Sequence, residues 1–151
     1  MMRREHGPVG SYEEERVLRS VAAAEAVRRL SVRQHDAFRR GDLADWIGTF
    51  VVEGVLELPG AEPAEPLEGH PALGKWFGQA GGDGRAVLST DSVVDIDGVR
   101  GIQRSRLLVL EVGGDRPAVQ GLLETEDEVI YERGRWFFAR RRIRPSGAEG
   151  V

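Results

Sequence analysis

The chain has 151 residues, 21 basic and 25 acidic side chains, three histidines and no cysteine, for a formal net charge of −4. That length suits one domain with its own core, and the acidic balance argues against general nucleic-acid binding. The missing thiols exclude disulfides, thiolate metal sites and cysteine nucleophiles.

The first ten residues are polar and hold Gly and Pro, so they read as a loose N-terminus ahead of a single domain over 11–145, with 146–151 as a loose tail. "MMRREHGPVGSY" has no apolar stretch behind its arginines, so no signal peptide is read and a cytoplasmic location is expected. The longest apolar run, Leu107 to Leu110, is far too short to span a bilayer. Ser11 and Glu14 have capping-box spacing and predict a helix start. Val17, Val21, Ala24, Val27, Leu30, Gln34 and Phe38 then recur every three or four residues, one face of a helix. Gly41 suits a left-handed helix end, and Asp42 can cap a short second helix carrying Leu43, Trp46, Ile47 and Phe50.

"VVEGVLELPG" reads as a strand closed by Pro59-Gly60, and "AEPAEPLEG" as a loop. Pro71 suits the first turn of a third helix, which carries Leu73, Trp76 and Phe77 and gives way to "GGDG". The remainder of the chain is strand-like: 85–96 to a turn at Asp97-Gly98, then 101–112, then 117–132, then "RWFFARRRIR" after Gly134. Helices succeeded by hairpin-linked strands predict an α+β fold, with helices on one side of an antiparallel sheet.

Together, "AVRRLSVRQHDAFRRGDLADWIGTFVVEGVLELPG", "LEGHPALGKWF", "SVVDIDGVRGIQRSRLLVL" and "ETEDEVIYERGRWFFARRRI" resemble the SnoaL-like family. That family lies in the superfamily of ketosteroid isomerase, scytalone dehydratase and nuclear transport factor 2. The likeness spans roughly residues 20–144. It implies a cone-shaped α+β barrel, a curved sheet wrapped around the helices with an apolar pocket at the wide end. It also implies homodimers formed through the outer sheet face. The catalytic patterns of relatives are absent: Arg39 stands where scytalone-dehydratase-like members keep an aspartate. Ala86 or Val87 stands where they keep a histidine, and Leu58 where isomerase-type members keep their base.

His35 lies one turn before Arg39, so the two can share a face. His35 could move a proton near neutral pH and Arg39 could hold an oxyanion. Alternatively, His35 packs against the second helix while Arg39 pairs with Asp36 or Asp42 at the surface. Asp36 diverges from His35 by about 100° around the helix and faces solvent, with Arg40 as partner. Gln34, on the apolar stripe, either offers an amide to a ligand or is buried and satisfied.

In "ETEDE", Glu124, Glu126 and Glu128 share one strand face and Asp127 the other, with Thr125 and Val129. Arg104 and Arg106 on one strand, and Arg140, Arg142 and Arg144 on another, suggest cross-strand ion pairs. Asp127 reads as structural. The resemblance places a second acid near Glu126 or Glu128. His70, at the start of the third helix, reads as a cap or surface residue. No metal-ligand spacing, nucleophile elbow or phosphate loop is present, so neither metal nor cofactor is expected.

The expectation is therefore a cofactor-independent enzyme of cyclase, isomerase or dehydratase type, acting on a hydrophobic small molecule by general acid/base catalysis. The alternative is a non-catalytic ligand-binding or accessory protein of the same fold. His35, Arg39 and Glu126 are the catalytic candidates. Gln34, Phe38, Trp46, Leu58, Trp76, Phe77 and Arg104 are the substrate-binding candidates. Expected partners are a hydrophobic small molecule and a second copy of the chain, with no nucleic acid and no membrane.

Overall fold

The computed structural model describes residues 7–61, 65–81 and 85–147. Parts of "AEPAEPLEG" and "GGDG" and the extreme termini lie outside them. Helix α1 (Gly7–Arg40) leads into α2 (Leu43–Ile47), strands β1 (Phe50–Glu57) and β2 (Leu67–Glu68), and α3 (Gly69–Ala80). Strands β3 (Ala86–Asp97), β4 (Arg100–Glu111), β5 (Ala118–Glu132) and β6 (Arg135–Pro145) complete the chain. All six strands form one open sheet in the order β2-β1-β6-β5-β4-β3, with the helices packed against it.

The punctuation residues act as their chemistry dictates. Gly41 ends α1 at φ +71°, and the Asp42 carboxylate accepts from the Asp45 amide at 3.0 Å to cap α2. Gly98 and Gly134 turn the β3–β4 and β5–β6 hairpins with φ of +65° and +84°. Two local expectations are corrected. Helix α1 begins at Gly7, so Ser11 and Glu14 sit inside it. Val17 and Val21, read as part of the buried stripe, are more than half exposed. Helix α1 is about 50 Å long by its rise per residue, and burial begins only near its middle, with Val27, Leu30, Ser31 and Gln34.

The sheet is not wholly antiparallel. β3 to β6 form an antiparallel meander, but β1 runs parallel to β6, because the chain reaches β1 from the helices rather than through a hairpin. The sheet curves because its strands are bulged. On β3, Thr90 pairs with Arg106 and Val93 with Arg104, leaving Asp91 and Ser92 against Ser105 alone, and Asp91 takes φ +49°. On β6, Ala139 is the extra residue between the Phe138–Val129 and Arg140–Glu128 pairs. On β1 the register breaks between Phe50 and Val55. A Cβ on Gly54 would come within 2.9 Å of Phe50, so only glycine fits that bend.

Inside the curve lie the apolar residues of α1, α2 and α3: Val27, Leu30, Ala37, Trp46, Leu73 and Phe77. They meet Phe50 and Leu56 of β1, Val129 of β5 and Phe138 of β6. No described helix is long and apolar enough to cross a membrane.

Candidate functional site

The concave side of the sheet also holds a polar cluster deep among these apolar residues. Its centre is Arg141, whose side chain has no solvent exposure, paired with the equally inaccessible Asp127 directly opposite on β5. Arg141 Nε donates to Asp127 Oδ1 at 2.9 Å and Nη2 donates to Oδ2 at 3.3 Å, a bidentate pair. The guanidinium also stacks on Phe138, 4.4 Å from the ring centroid. Burying a charge is costly unless it is paired and hydrogen-bonded, and here both conditions hold.

From this pair the network spreads to α1, the end of α2 and strands β3 to β5. Arg141 Nη1 donates to Gln34 Oε1 at 2.5 Å, and Gln34 Nε2 donates to Thr49 Oγ1 at 2.6 Å. Thr49 in turn donates to the Trp46 carbonyl at 2.6 Å, tying α1 to the end of α2. On the other side Gln103 Nε2 donates to Ser31 Oγ at 2.7 Å and to Asp127 Oδ2 at 3.1 Å. Its Oε1 accepts from Ser92 at 3.0 Å, so the β3 bulge has a partner in the core. Thr125 donates to Asp127 Oδ2 at 3.2 Å and shares a hydrogen bond with Ser105 at 2.9 Å. Among the described residues no buried side-chain nitrogen or oxygen lacks a partner.

His35 stands at the edge of this network. Its Nε2 lies 3.1 Å from Arg141 Nη1. An arginine has no acceptor, so Nε2 carries the lone pair and the ring proton is on Nδ1. Burial first, and the Arg141 charge second, lower the His35 pKa to about 3, so the ring is neutral across the physiological range. His35 also lines a cleft of about 350 Å³ between α1 and the start of β3. Val32, Ala86, Val87 and Leu88 give it apolar walls, while Asp36 and Arg39 supply charge. Asp36 is held below the usual carboxylate range, chiefly by hydrogen bonds from Arg40 and Arg39 at 2.8 and 2.9 Å.

The sequence candidates thus fall into four groups. His35 and Arg39 meet at the α1–β3 cleft, and Asp36, read from the sequence as solvent-facing, joins them there in an ion pair with Arg39. Gln34 is buried and satisfied, the second of its two readings. Phe38, Trp46, Trp76 and Phe77 come together but pack on one another, with ring centroids 4.9 to 5.8 Å apart. Leu58 packs half-buried against the core beside them.

Glu126 and Arg104 lie elsewhere. Both point to the convex face of the sheet, where they pair with each other at 3.1 Å. Alternation puts their buried strand neighbours Thr125, Asp127, Gln103 and Ser105 on the concave side, so Glu126 and His35 do not share a site. The same convex face carries Arg140 with Glu57 at 2.8 Å, Arg144 with Glu124 at 3.5 Å and Arg106 with Asp91 at 3.2 Å. His70 does not cap α3. Its Nε2 lies 3.1 Å from the Phe50 carbonyl oxygen, where it bridges to β1. No cluster of three or more metal-ligating side chains occurs among the described residues.

Arg141 and Gln103 organise the interior, yet neither stands out in the sequence as a candidate. Arg141 is hidden in an arginine run whose alternate members face outward. Its one visible signal is Asp127, which shares a strand face with Thr125 and Val129 and requires a cation opposite it.

The model of the SnoaL-like domain matches residues 19–142 of the chain. No curated protein matched by sequence. Among solved structures, an NTF2-like protein with a cystatin-like fold from Novosphingobium aromaticivorans superposes with a TM-score of 0.76 at 16% identity, covering 93% of this chain and 91% of that one. A Catenulispora acidiphila protein crystallised with S-DNPA gives 0.74 at 21% identity, covering 86% and 98%. A protein provisionally assigned as a scytalone dehydratase, also from N. aromaticivorans, gives 0.70 at 17% identity, covering 83% and 85%.

Proposed function

Because the chain belongs to the SnoaL-like domain family, we propose that it acts without a cofactor on a small hydrophobic molecule bearing a carbonyl or phenolic oxygen. The reaction would be of isomerase or lyase type and the site the cleft between α1 and β3. The observation that carries this reading is the neutral His35, held by Arg141 from inside and bordering the cleft. A neutral imidazole fixed in one tautomer is a hydrogen-bond donor, and can polarise a carbonyl oxygen without itself being a strong acid. Arg39 would stabilise the oxyanion that develops as a proton leaves the neighbouring carbon. Asp36, the carboxylate of the same cleft, would receive that proton and return it, with its low pKa suiting it to an already acidic carbon–hydrogen bond. The apolar walls would strengthen each of these contacts by excluding water.

The structural neighbour provisionally assigned as a dehydratase supports the class of chemistry, not the substrate. The test is a screen of small ketones, β-dicarbonyls and phenols for turnover, and then His35→Phe, which keeps the ring volume and removes the donor. Loss of one such donor should lower kcat by roughly 100-fold. Full turnover by His35→Phe would overturn the reading.

A second reading, a ligand binder without chemistry, is favoured by one observation. Every buried side-chain nitrogen and oxygen among the described residues is already engaged within the protein. A ligand recovered unchanged after long incubation, with its affinity reduced by Arg39→Leu, would select this reading over the first.

A further inference from the structure

A second concavity shares no lining residue with the α1–β3 cleft. The cleft takes in Ala86 to Ser89 at the start of β3, whereas this groove takes in Gly98, just beyond the last residue of β3. Its volume is about 610 Å³, inside the roughly 300–1,000 Å³ of small-molecule sites. Helix α1 contributes the small side chains of Ala22, Ala23 and Ala26, and the β5–β6 hairpin contributes Tyr131 and Trp136. Those two rings meet edge to face, with centroids 5.4 Å apart and planes at 60°.

The charged lining has one sign. Arg19, Arg29, Arg33 and Arg135 border the groove and no carboxylate does. Three of the four have carboxylate partners that lie outside the lining: Glu15 at 3.4 Å, Glu25 at 3.2 Å and Asp45 at 2.8 Å. Arg135 has no carboxylate partner among the described residues, and its guanidinium rests 4.8 Å from the centroid of the Phe137 ring. Glu132, its register partner across the hairpin, is taken by Arg133 at 3.3 Å. The Tyr131 hydroxyl likewise makes no hydrogen bond to any described residue. A cation without an anion and a hydroxyl without a partner thus stand beside an apolar, partly aromatic surface.

We propose that this groove is a binding site for a small aromatic carboxylate. The arginines select an anion, and Arg135 and Tyr131 are the groups free to hold it, one by a charge-assisted hydrogen bond and one by a neutral one. The alanines project only methyl groups, which leaves room for a flat ring to lie along α1, and Tyr131 and Trp136 offer it rings to pack against. An inorganic anion would leave that apolar surface uncovered, and a neutral hydrocarbon would leave the cations unanswered. The site is independent of the reaction proposed for the α1–β3 cleft, which uses none of these residues.

The test is calorimetric titration of the full chain with 2-naphthoate, which should bind with a Kd on the order of 100 μM. The neutral 2-naphthamide should bind about ten-fold more weakly, and added salt should weaken the acid but not the amide. The saturated analogue decahydro-2-naphthoate should bind several-fold more weakly than 2-naphthoate. Arg135→Gln should weaken the acid about ten-fold and leave the amide unchanged. Ala26→Trp, which fills the groove from an exposed position, should abolish binding of both. No binding of 2-naphthoate up to about 1 mM, or equal affinity for the acid, the amide and the saturated analogue, would overturn the proposal. So would wild-type affinity in both Arg135→Gln and Ala26→Trp. Binding that survives Ala26→Trp and is lost in His35→Phe would put the ligand in the α1–β3 cleft and overturn it as well.

Discussion

Asp127 and Arg141 are register partners on adjacent strands, both fully shut off from water and joined by two hydrogen bonds on the concave side of the sheet. The network around them ends at His35, which borders the α1–β3 cleft.

Breaking that pair one-sidedly should be severe. Asp127→Leu leaves a buried guanidinium without its anion and should cost about 3–5 kcal/mol of stability. The double variant Asp127→Leu with Arg141→Met removes both charges and should recover most of the loss. Urea denaturation of the two variants measures the difference. Equal instability of the single and the double variant would show that the pair is not the source of the effect.

His35 makes stability depend on pH in a definite direction. Its folded pKa is lowered from 6.5 to about 3, so below pH 6.5 the unfolded chain binds a proton that the folded chain refuses. The contribution is fully present above pH 6.5 and is lost as pH falls toward 3, with a limiting slope of about 1.4 kcal/mol per pH unit. His35→Gln should flatten the stability profile between about pH 6 and 4. The nitrogen chemical shifts of the wild-type ring should report a neutral Nδ1–H tautomer at about pH 6.

Gln34 is a connector, so its loss should be felt through stability. Gln34→Leu keeps the volume but removes the donor to Thr49 Oγ1 and one of the two acceptors of Arg141 Nη1, at a cost of about 1–3 kcal/mol. A matched loss from Gln103→Leu, which disconnects Ser31, Ser92 and Asp127, would establish that the two glutamines act alike on either side of the ion pair. Thermal unfolding checks both.

The convex charges should matter little. Glu126→Gln opens a pair with Arg104 that is at least half exposed on both sides. Its cost should stay under about 1 kcal/mol and vanish in high salt. Turnover of any substrate found for the chain should be unchanged by it.

Much of this architecture is legible because it rests on local chemistry. Gly41 with Asp42, Asp97-Gly98 and Gly134 name their turns in the sequence, and each turn is where they put it. The length of α1 is not legible, because nothing in Val17 or Val21 tells whether a sheet lies beneath them. The centre of the interior is illegible for a sharper reason. Strict alternation from the buried Phe138 sends Arg140 inward and Arg141 outward. The structure does the reverse, because Ala139 is a bulge, and a bulge at an alanine leaves no trace in residue type. The α1–β3 cleft is half legible: the spacing of His35 and Arg39 indicates a shared face, but not that Arg141 sets the tautomer.

Curvature and sidedness are separable in β6. With Ala139 counted out, Phe138 inward, Arg140 outward and Arg141 inward is an ordinary alternating strand. Deleting Ala139 should therefore leave every later side chain on its present side while straightening the strand. Adding one further residue beside it would turn Arg141 out and Arg140 and Arg142 in, opposite Asp127's apolar surroundings. This strand should tolerate the loss of one residue at that point far better than the gain of one.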